Sequence, residues 1–382
     1  MTCSAPAVSP DAVPPGDEAG ALAQAVGDLV GRPVPAPALR RVPGGGNNRL
    51  YRLEAPDGPL AVKWYGRPGA DDATSRLTRE FGGLRFLAEA GVGALPAAVA
   101  ADPAAHLALY GWIDGEPVAR DPAGRRVGDL PAAIAFLGRL RTAGGRPAAR
   151  TLPPATEACL SATDLLDQID ARRARLAAVT EEAGLGAWLD GRLRPALATA
   201  RDRLARLYDA AGLDPGIPVP PAAQTLSPSD FGFHNTLRRP DGGLAFVDFE
   251  YFGWDDPVKL TADLLWHPGL VLSAGERRAW LQGTAALFAG DPAYGVRLDA
   301  QFPLFGLRWA LIILNEFLPE RWARRLFAAP SAEAARAGWD AAKRVQLAKA
   351  EAWTATAARM AEAGAGRGLA GFSVLPPLFP SA

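Results

Sequence analysis

The sequence predicts an α+β chain of two lobes, a small antiparallel sheet with one long helix followed by a mostly helical lobe. Three observations carry this expectation. Between Leu39 and Gly115, short apolar–polar alternations are separated by turn dipeptides, with one stretch of helical spacing among them. From Asp129 onward helical spacing dominates, broken by a single insertion around residues 225–257. The 382 residues, 49% hydrophobic, are enough to build two cores.

The elements follow in order. Residues 1–18 are Pro/Ala-rich and read as disordered. A short helix is expected over Glu18–Leu29. A strand runs into Pro43, a turn follows at Gly44, Gly45 and Gly46, and "RLYRLE" forms the next strand. Asp57-Gly58 turns the chain into "LAVKWY", where Lys63 faces away from Val62 and Trp64. Ala73–Ala90 repeats Leu77, Phe81, Leu84 and Leu87 at helical spacing, and Gly91 stops it. Two more strands, "LPAAVAAD" and "HLALYGWIDG", complete five. Helices are expected over 129–143, 161–179, 185–211, 257–266, 274–289, 299–318 and 331–363. The insertion reads as a loop, a short strand at Thr236, an Asp241-Gly242 turn and a second strand from Leu244. The lobes are thus placed at 19–113 and 114–365, with a tail over 366–382.

Composition excludes several classes. A net charge of zero argues against nucleic acid as the main partner, because phosphate backbones require a basic excess. It does not exclude acidic substrates, which a local basic patch can hold. Cys3 and Cys159 offer no disulfide framework, and three His with two Cys make a zinc site improbable. The start lacks the charged and apolar regions of a signal peptide, and Arg308, Asn315 and Glu316 interrupt the longest apolar run. A cytoplasmic protein that neither spans nor binds a membrane is expected, as monomer or homodimer.

Asp230, Asn235 and Asp248 carry side-chain oxygens on two loops joined by a hairpin. Such groups suit Mg²⁺, and an Asp beside it can orient or deprotonate a hydroxyl. They equally suit turns and caps, where isolated Asp residues serve. Gly44 to Gly46, between two strands, form a turn whose backbone can approach phosphates. Lys63 lies mid-strand in a chain with only four Lys, and Glu80 borders the buried face of the next helix. Pairing of the two would aim the ammonium at a phosphate; the alternative is two solvated side chains. Arg308, Asn315 and Glu316 either bond one another or line an acceptor pocket. Trp254, Trp266, Trp309 and Trp322 suit either core packing or an aromatic cage.

On these residues the sequence resembles the aminoglycoside phosphotransferase and choline kinase family, relatives of protein kinases. That family's pattern is H-G-D-x-H-x-x-N, a strand with I-D-[FW]-[ED], then D-P and a helix carrying D-L. This chain reads "SPSDFGFHN", "FVDFEYFGWDDP" and "TADLLW". The resemblance spans roughly residues 35–345 and implies a protein-kinase-like fold. It implies ATP or GTP with Mg²⁺ as cofactors and a small-molecule hydroxyl as acceptor. Asp230 would be the catalytic Asp, Asn235 and Asp248 metal ligands, Lys63 the phosphate contact and Glu80 its partner. Tyr110, Gly111 and Trp112 would form the hinge that meets the purine, and Asp263 would brace the catalytic loop. Arg308, Asn315, Glu316 and Trp254 are the acceptor-side candidates. Pro228-Ser229 replace the family's His-Gly, which bears on loop geometry more than on chemistry. His234 is expected to pack or hydrogen-bond locally. A nucleotide- or metabolite-binding protein without transfer activity is the rival reading.

Overall fold

The computed structural model of the protein describes residues 16–43, 48–66, 72–320 and 339–362. Residues 1–15, the Gly44–Gly46 turn, Trp322 and the tail lie outside them, and residues 16–18, expected to be disordered, are helical. A helix, α1 (Gly16–Val30), precedes five strands: β1 (Leu39–Val42), β2 (Arg49–Leu53), β3 (Leu60–Trp64), β4 (Ala98–Asp102) and β5 (Leu107–Gly111). Between β3 and β4 runs α2 (Ala73–Glu89). The sheet is antiparallel throughout, in the order β1-β2-β3-β5-β4.

Period-two alternation sorts the sheet's faces. Val62, Trp64, Leu107 and Leu109 pack with Leu22 and Val26 of α1. Ala108 and Tyr110 face the other way and join Leu77, Leu84 and Leu87 of α2 in the main core. Lys63 sits opposite Ala108 in the β3–β5 register, on the α2 side. Truncating one of those buried leucines to Ala would cost about 2–5 kcal/mol. The end of α2 is sharp. Val92 N–H bonds Leu87 O, Gly91 N–H bonds Ala88 O, and Gly91 takes the left-handed conformation that glycine adopts freely (φ 77°).

The second lobe contains α3 (Asp129–Gly144), α4 (Ala162–Ala177), α5 (Ala183–Trp188), α6 (Arg194–Ala210), α7 (Pro257–Trp266), α8 (Ala274–Leu287), α9 (Tyr294–Ile313) and a last described helix, Trp339–Glu362. Capping boxes start α4 (Ser161 with Asp164) and α8 (Ser273 with Glu276), and Asp256 caps α7 ahead of Pro257. The single helix expected over 185–211 is instead two helices joined by a π turn at Leu189–Leu193. Pro195 has no N–H for the regular ladder, and the turn before it widens so that Arg194 N–H reaches Leu189 O. Likewise α9 begins at Tyr294, five residues before the expected 299, and ends at Ile313. Asn315 and Glu316 therefore lie on a 3-10 turn, Leu314–Phe317.

Three short strands were invisible to alternation: β6 (Glu116–Pro117), β7 (Thr225–Ser227) and β10 (Gly253–Asp255). Together with the foreseen hairpin of β8 (Thr236–Arg238) and β9 (Leu244–Phe246), they frame the insertion. β7 pairs with β10, and β6 adds to β8. Gly115 is required there, since a Cβ would stand 2.7 Å from Arg238 O. No helix among the described residues is long and apolar enough to cross a membrane.

Candidate active site

β3, α2 and the loop after β9 bring four charged groups together. Lys63 Nζ donates to Glu80 Oε2 at 2.6 Å and to Asp248 Oδ1 at 2.7 Å, with Glu250 Oε2 3.7 Å away. Burial opposes the ammonium, but Asp248, Glu80 and Glu250 outweigh it and raise Lys63 well above the usual lysine range. Glu80 is further fixed by the Tyr65 hydroxyl (2.6 Å) and by Phe249 N–H (3.3 Å). Glu250 also takes Arg76 (3.3 Å) and Asn48. Burial, then the crowding of Glu250 and Glu80, raises Asp248 above the usual carboxylate range despite Lys63. Its backbone is left-handed (φ 69°), a conformation that stores of order 1–3 kcal/mol and that clusters at functional sites. Sequence reasoning paired Lys63 with Glu80 but missed Glu250, Arg76 and Asn48. The Glu of "VDFE" was the available signal.

The β8–β9 hairpin connects this cluster to Asp230. Thr236 pairs with Phe246, and Val247 N–H donates to Asn235 O at 3.0 Å, so Asp248 follows directly beside Asn235. Asn235 Nδ2 in turn donates to Asp230 O (2.9 Å) and lies 3.4 Å from Asp230 Oδ2. The three oxygen-bearing residues thus form one connected arrangement.

Two imidazoles flank the Asp230 carboxylate. His234 Nε2 is 3.0 Å and His267 Nε2 3.7 Å from the same Oδ1, and the rings stack at 3.9 Å with planes 2° apart. His267, at the end of α7, accepts Gly269 N–H on Nδ1, so Nε2 carries its proton toward Asp230. Burial, then His234, pushes His267 down to about 4. Burial alone would raise Asp230, but His234 beside it reverses that and holds the carboxyl below the usual range. His234 therefore bonds locally, to Asp230 itself; His267 was not foreseen.

Below Asp230, Lys259 is fully buried and bonds Ser229 Oγ (2.9 Å), Asp255 (3.1 Å) and Asp263 (3.1 Å). Burial opposes its charge, and Asp255 with Asp263 keeps it protonated. Asp263 also accepts the Trp309 indole N–H at 2.7 Å. Thus Asp263 reaches the Asp230 loop through Lys259 and Ser229, which is itself left-handed at φ 67°. Lys259 was another signal in a Lys-poor chain.

A cavity of about 430 Å³ opens over Asp230. Arg308 of α9 and Asn315 of the 3-10 turn that follows it line the cavity. Glu316 and Trp254 do not. Glu316 sits on the 3-10 turn, where its carbonyl accepts the Trp339 indole. Trp254 belongs to β10, bonds Ala149 O at 2.9 Å and packs over Gly144. Of the other cage candidates, Trp266 is buried in the core and Trp309 lines the cavity. At the expected hinge, Tyr110 turns its hydroxyl to Tyr65 (2.7 Å), while the N–H groups of Gly111 and Trp112 bond Ala97 O and Pro59 O. A purine contact here would use backbone groups other than those two donors.

Residues 38–297 match the family model described as the phosphotransferase enzyme family. The chain belongs to that family. No curated protein matches this phosphotransferase. Among solved structures, the gentamicin complex of APH(2″)-IIa aligns with a TM-score of 0.53 at 16% identity, covering 84% of this chain and 92% of that one. The streptomycin–ATP complex of APH(2″)-IIa aligns at 0.52 and 15%, covering 77% and 89%. A choline kinase from Cryptosporidium parvum Iowa II gives 0.49 and 13%, covering 81% and 88%. At the identities of the two APH(2″)-IIa complexes, the shared property is the two-lobed, protein-kinase-like fold.

Proposed function

We propose that this phosphotransferase moves the γ-phosphoryl group of ATP or GTP to a hydroxyl of a small molecule seated in the cavity over Asp230. The observation that carries the reading is the connection of both halves through Asn235. Its carbonyl meets the strand leading to Asp248 and Lys63, and its amide holds Asp230. Asp248 and the Asn235 side-chain oxygen are hard donors, and Glu80, Asp248 and Glu250 outnumber Lys63 and Arg76, so the residues fit Mg²⁺. When bound, the ion supplies neutralisation of charge on the phosphates.

The chain's own residues do the rest. Glu80 holds Lys63 where its ammonium meets phosphate oxygens. The imidazoles of His234 and His267 face Asp230 Oδ1, which leaves Oδ2 to accept the acceptor's O–H. With its affinity for protons lowered, Asp230 acts first by aligning that hydroxyl, which is how such sites gain most of their rate. The test is nucleotide consumption with hydroxyl acceptors, wild type against Asp230→Asn. The variant should bind nucleotide normally and lose about 10²–10⁴-fold in turnover. Near-normal turnover would remove Asp230 from its role. Nucleotide binding without transfer to any acceptor would reduce the protein to a binder.

A further inference from the structure

We infer that the acceptor is an uncharged polyol, a sugar or glycoside, rather than a polyamine or an acid. The inference rests on the phosphotransfer reading above. Its basis is the pairing of charges around the cavity. Among the described residues that line it, every acid except Asp230 already faces a cation of the chain. Glu157 takes both Arg172 and Arg308, the latter at 2.9 Å. Asp263 takes Lys259 at 3.1 Å and Arg308 at 3.5 Å. Glu320 takes Arg175, and Asp72 takes Arg76 at 3.4 Å. The lining cations are engaged by these same contacts.

Among the described residues, an ammonium entering this cavity finds no carboxylate of its own except Asp230, which the proposed reaction needs. To gain one it must displace a guanidinium, and a charge left without its partner in a half-buried site is strongly unfavourable. A carboxylate or phosphate on the acceptor meets the mirror obstacle. A hydroxyl meets neither. A carboxylate offers about four lone-pair sites and a guanidinium five N–H groups, so a paired Arg–Glu retains both donors and acceptors at its edges. Hydroxyls can use these without opening the pair. Trp309, Ile312 and the Tyr251 ring add apolar wall for the C–H faces of a sugar. The volume, about 430 Å³, lies toward the small end of the ~300–1,000 Å³ usual for ligand pockets.

The experiment compares matched acceptors: neutral hexoses, pentoses and methyl glycosides, their amino-sugar counterparts, and the corresponding uronic acids. Transfer is measured with wild type, and binding is measured calorimetrically on the Asp230→Asn protein. The neutral member of the best set should exceed its charged counterparts at least tenfold in kcat/KM and in affinity. Arg172→Gln, which gives Glu157 back one free edge, should narrow the gap to the amino sugar at least fivefold. A charged counterpart that is preferred, or no binding by any neutral member, overturns the inference. So does an unchanged ratio in Arg172→Gln. Neutral sugars that bind without being phosphorylated would instead sink the phosphotransfer reading and leave the acceptor class standing.

Discussion

At the residue scale, His267 approaches Asp230 to 3.7 Å, behind His234 at 3.0 Å. Its Nε2–H faces the carboxylate, and its Nδ1 is anchored on Gly269 N–H. If it positions Asp230, His267→Phe should keep the ring and lose the donor. We expect kcat to fall about a hundredfold, the cost of misplacing a reacting group by roughly an ångström, with nucleotide KM unchanged. His267→Gln places an N–H near the same point and should recover most of the loss. Equal damage from both would mean that the stacked ring, not the donor, matters. His267 also ties stability to pH. An unfolded imidazole titrates near 6.5, whereas folded His267 is lowered to about 4. Between those values the unfolded chain binds the extra proton. Stability therefore rises with pH from 4 to 6.5, is complete above that, and is lost on acidification, by on the order of 3 kcal/mol at most. Urea unfolding at pH 5 and 7.5 should show the difference, and His267→Gln should shrink it. The convergence of Asp230, Asn235, Asp248, Lys63 and Glu80 was legible because their order along the chain is distinctive. His267 and Glu250 were not, since their partners Asp230, Lys63 and Arg76 lie far away in sequence, and Lys259 was passed over although Asp255 and Asp263 flank it at four residues.

At the scale of elements, α2 sets the position of Glu80, and its seat is tight. A Cβ on Gly83 would lie 2.5 Å from the Phe252 ring, which follows the Asp248 loop. Gly83→Ala must therefore push the helix or the ring aside. Overpacking of this kind costs about 1–3 kcal/mol. Because the displaced helix carries Glu80, nucleotide KM should rise along with the loss of stability. A normal KM in a destabilised variant would show that the ring yields and the helix stays. Long elements with steady periodicity, such as α2, α3 and α7, were legible to within a residue or two. Strands of two or three residues carry too few alternations to be seen. The π turn before Pro195 follows from a missing N–H, yet spacing alone does not reveal it.

For the whole molecule, the two-lobed division could be read from the change of period along the chain, but the cavity could not. Its walls come from α4, α7, α9 and the segment before α4, a convergence that only packing creates. A ligand bound between the lobes should stabilise both together. At a hundred times its dissociation constant, Mg²⁺–nucleotide should add about 2.7 kcal/mol. Asp248→Ala should lose most of that gain in a thermal-shift titration; an undiminished shift would exclude Asp248 from the nucleotide site.

Lys63 has a final consequence at this scale. Its ammonium grips Asp248 from across the cleft, so one strand of the small lobe is latched to the half that carries Asp230. Under the proposed function, a phosphate arriving at Lys63 would have to share or replace that grip. On that proposal, docking of the donor and loosening of the two halves would be one molecular event, with the cleft's readiness to open set by who holds a single nitrogen.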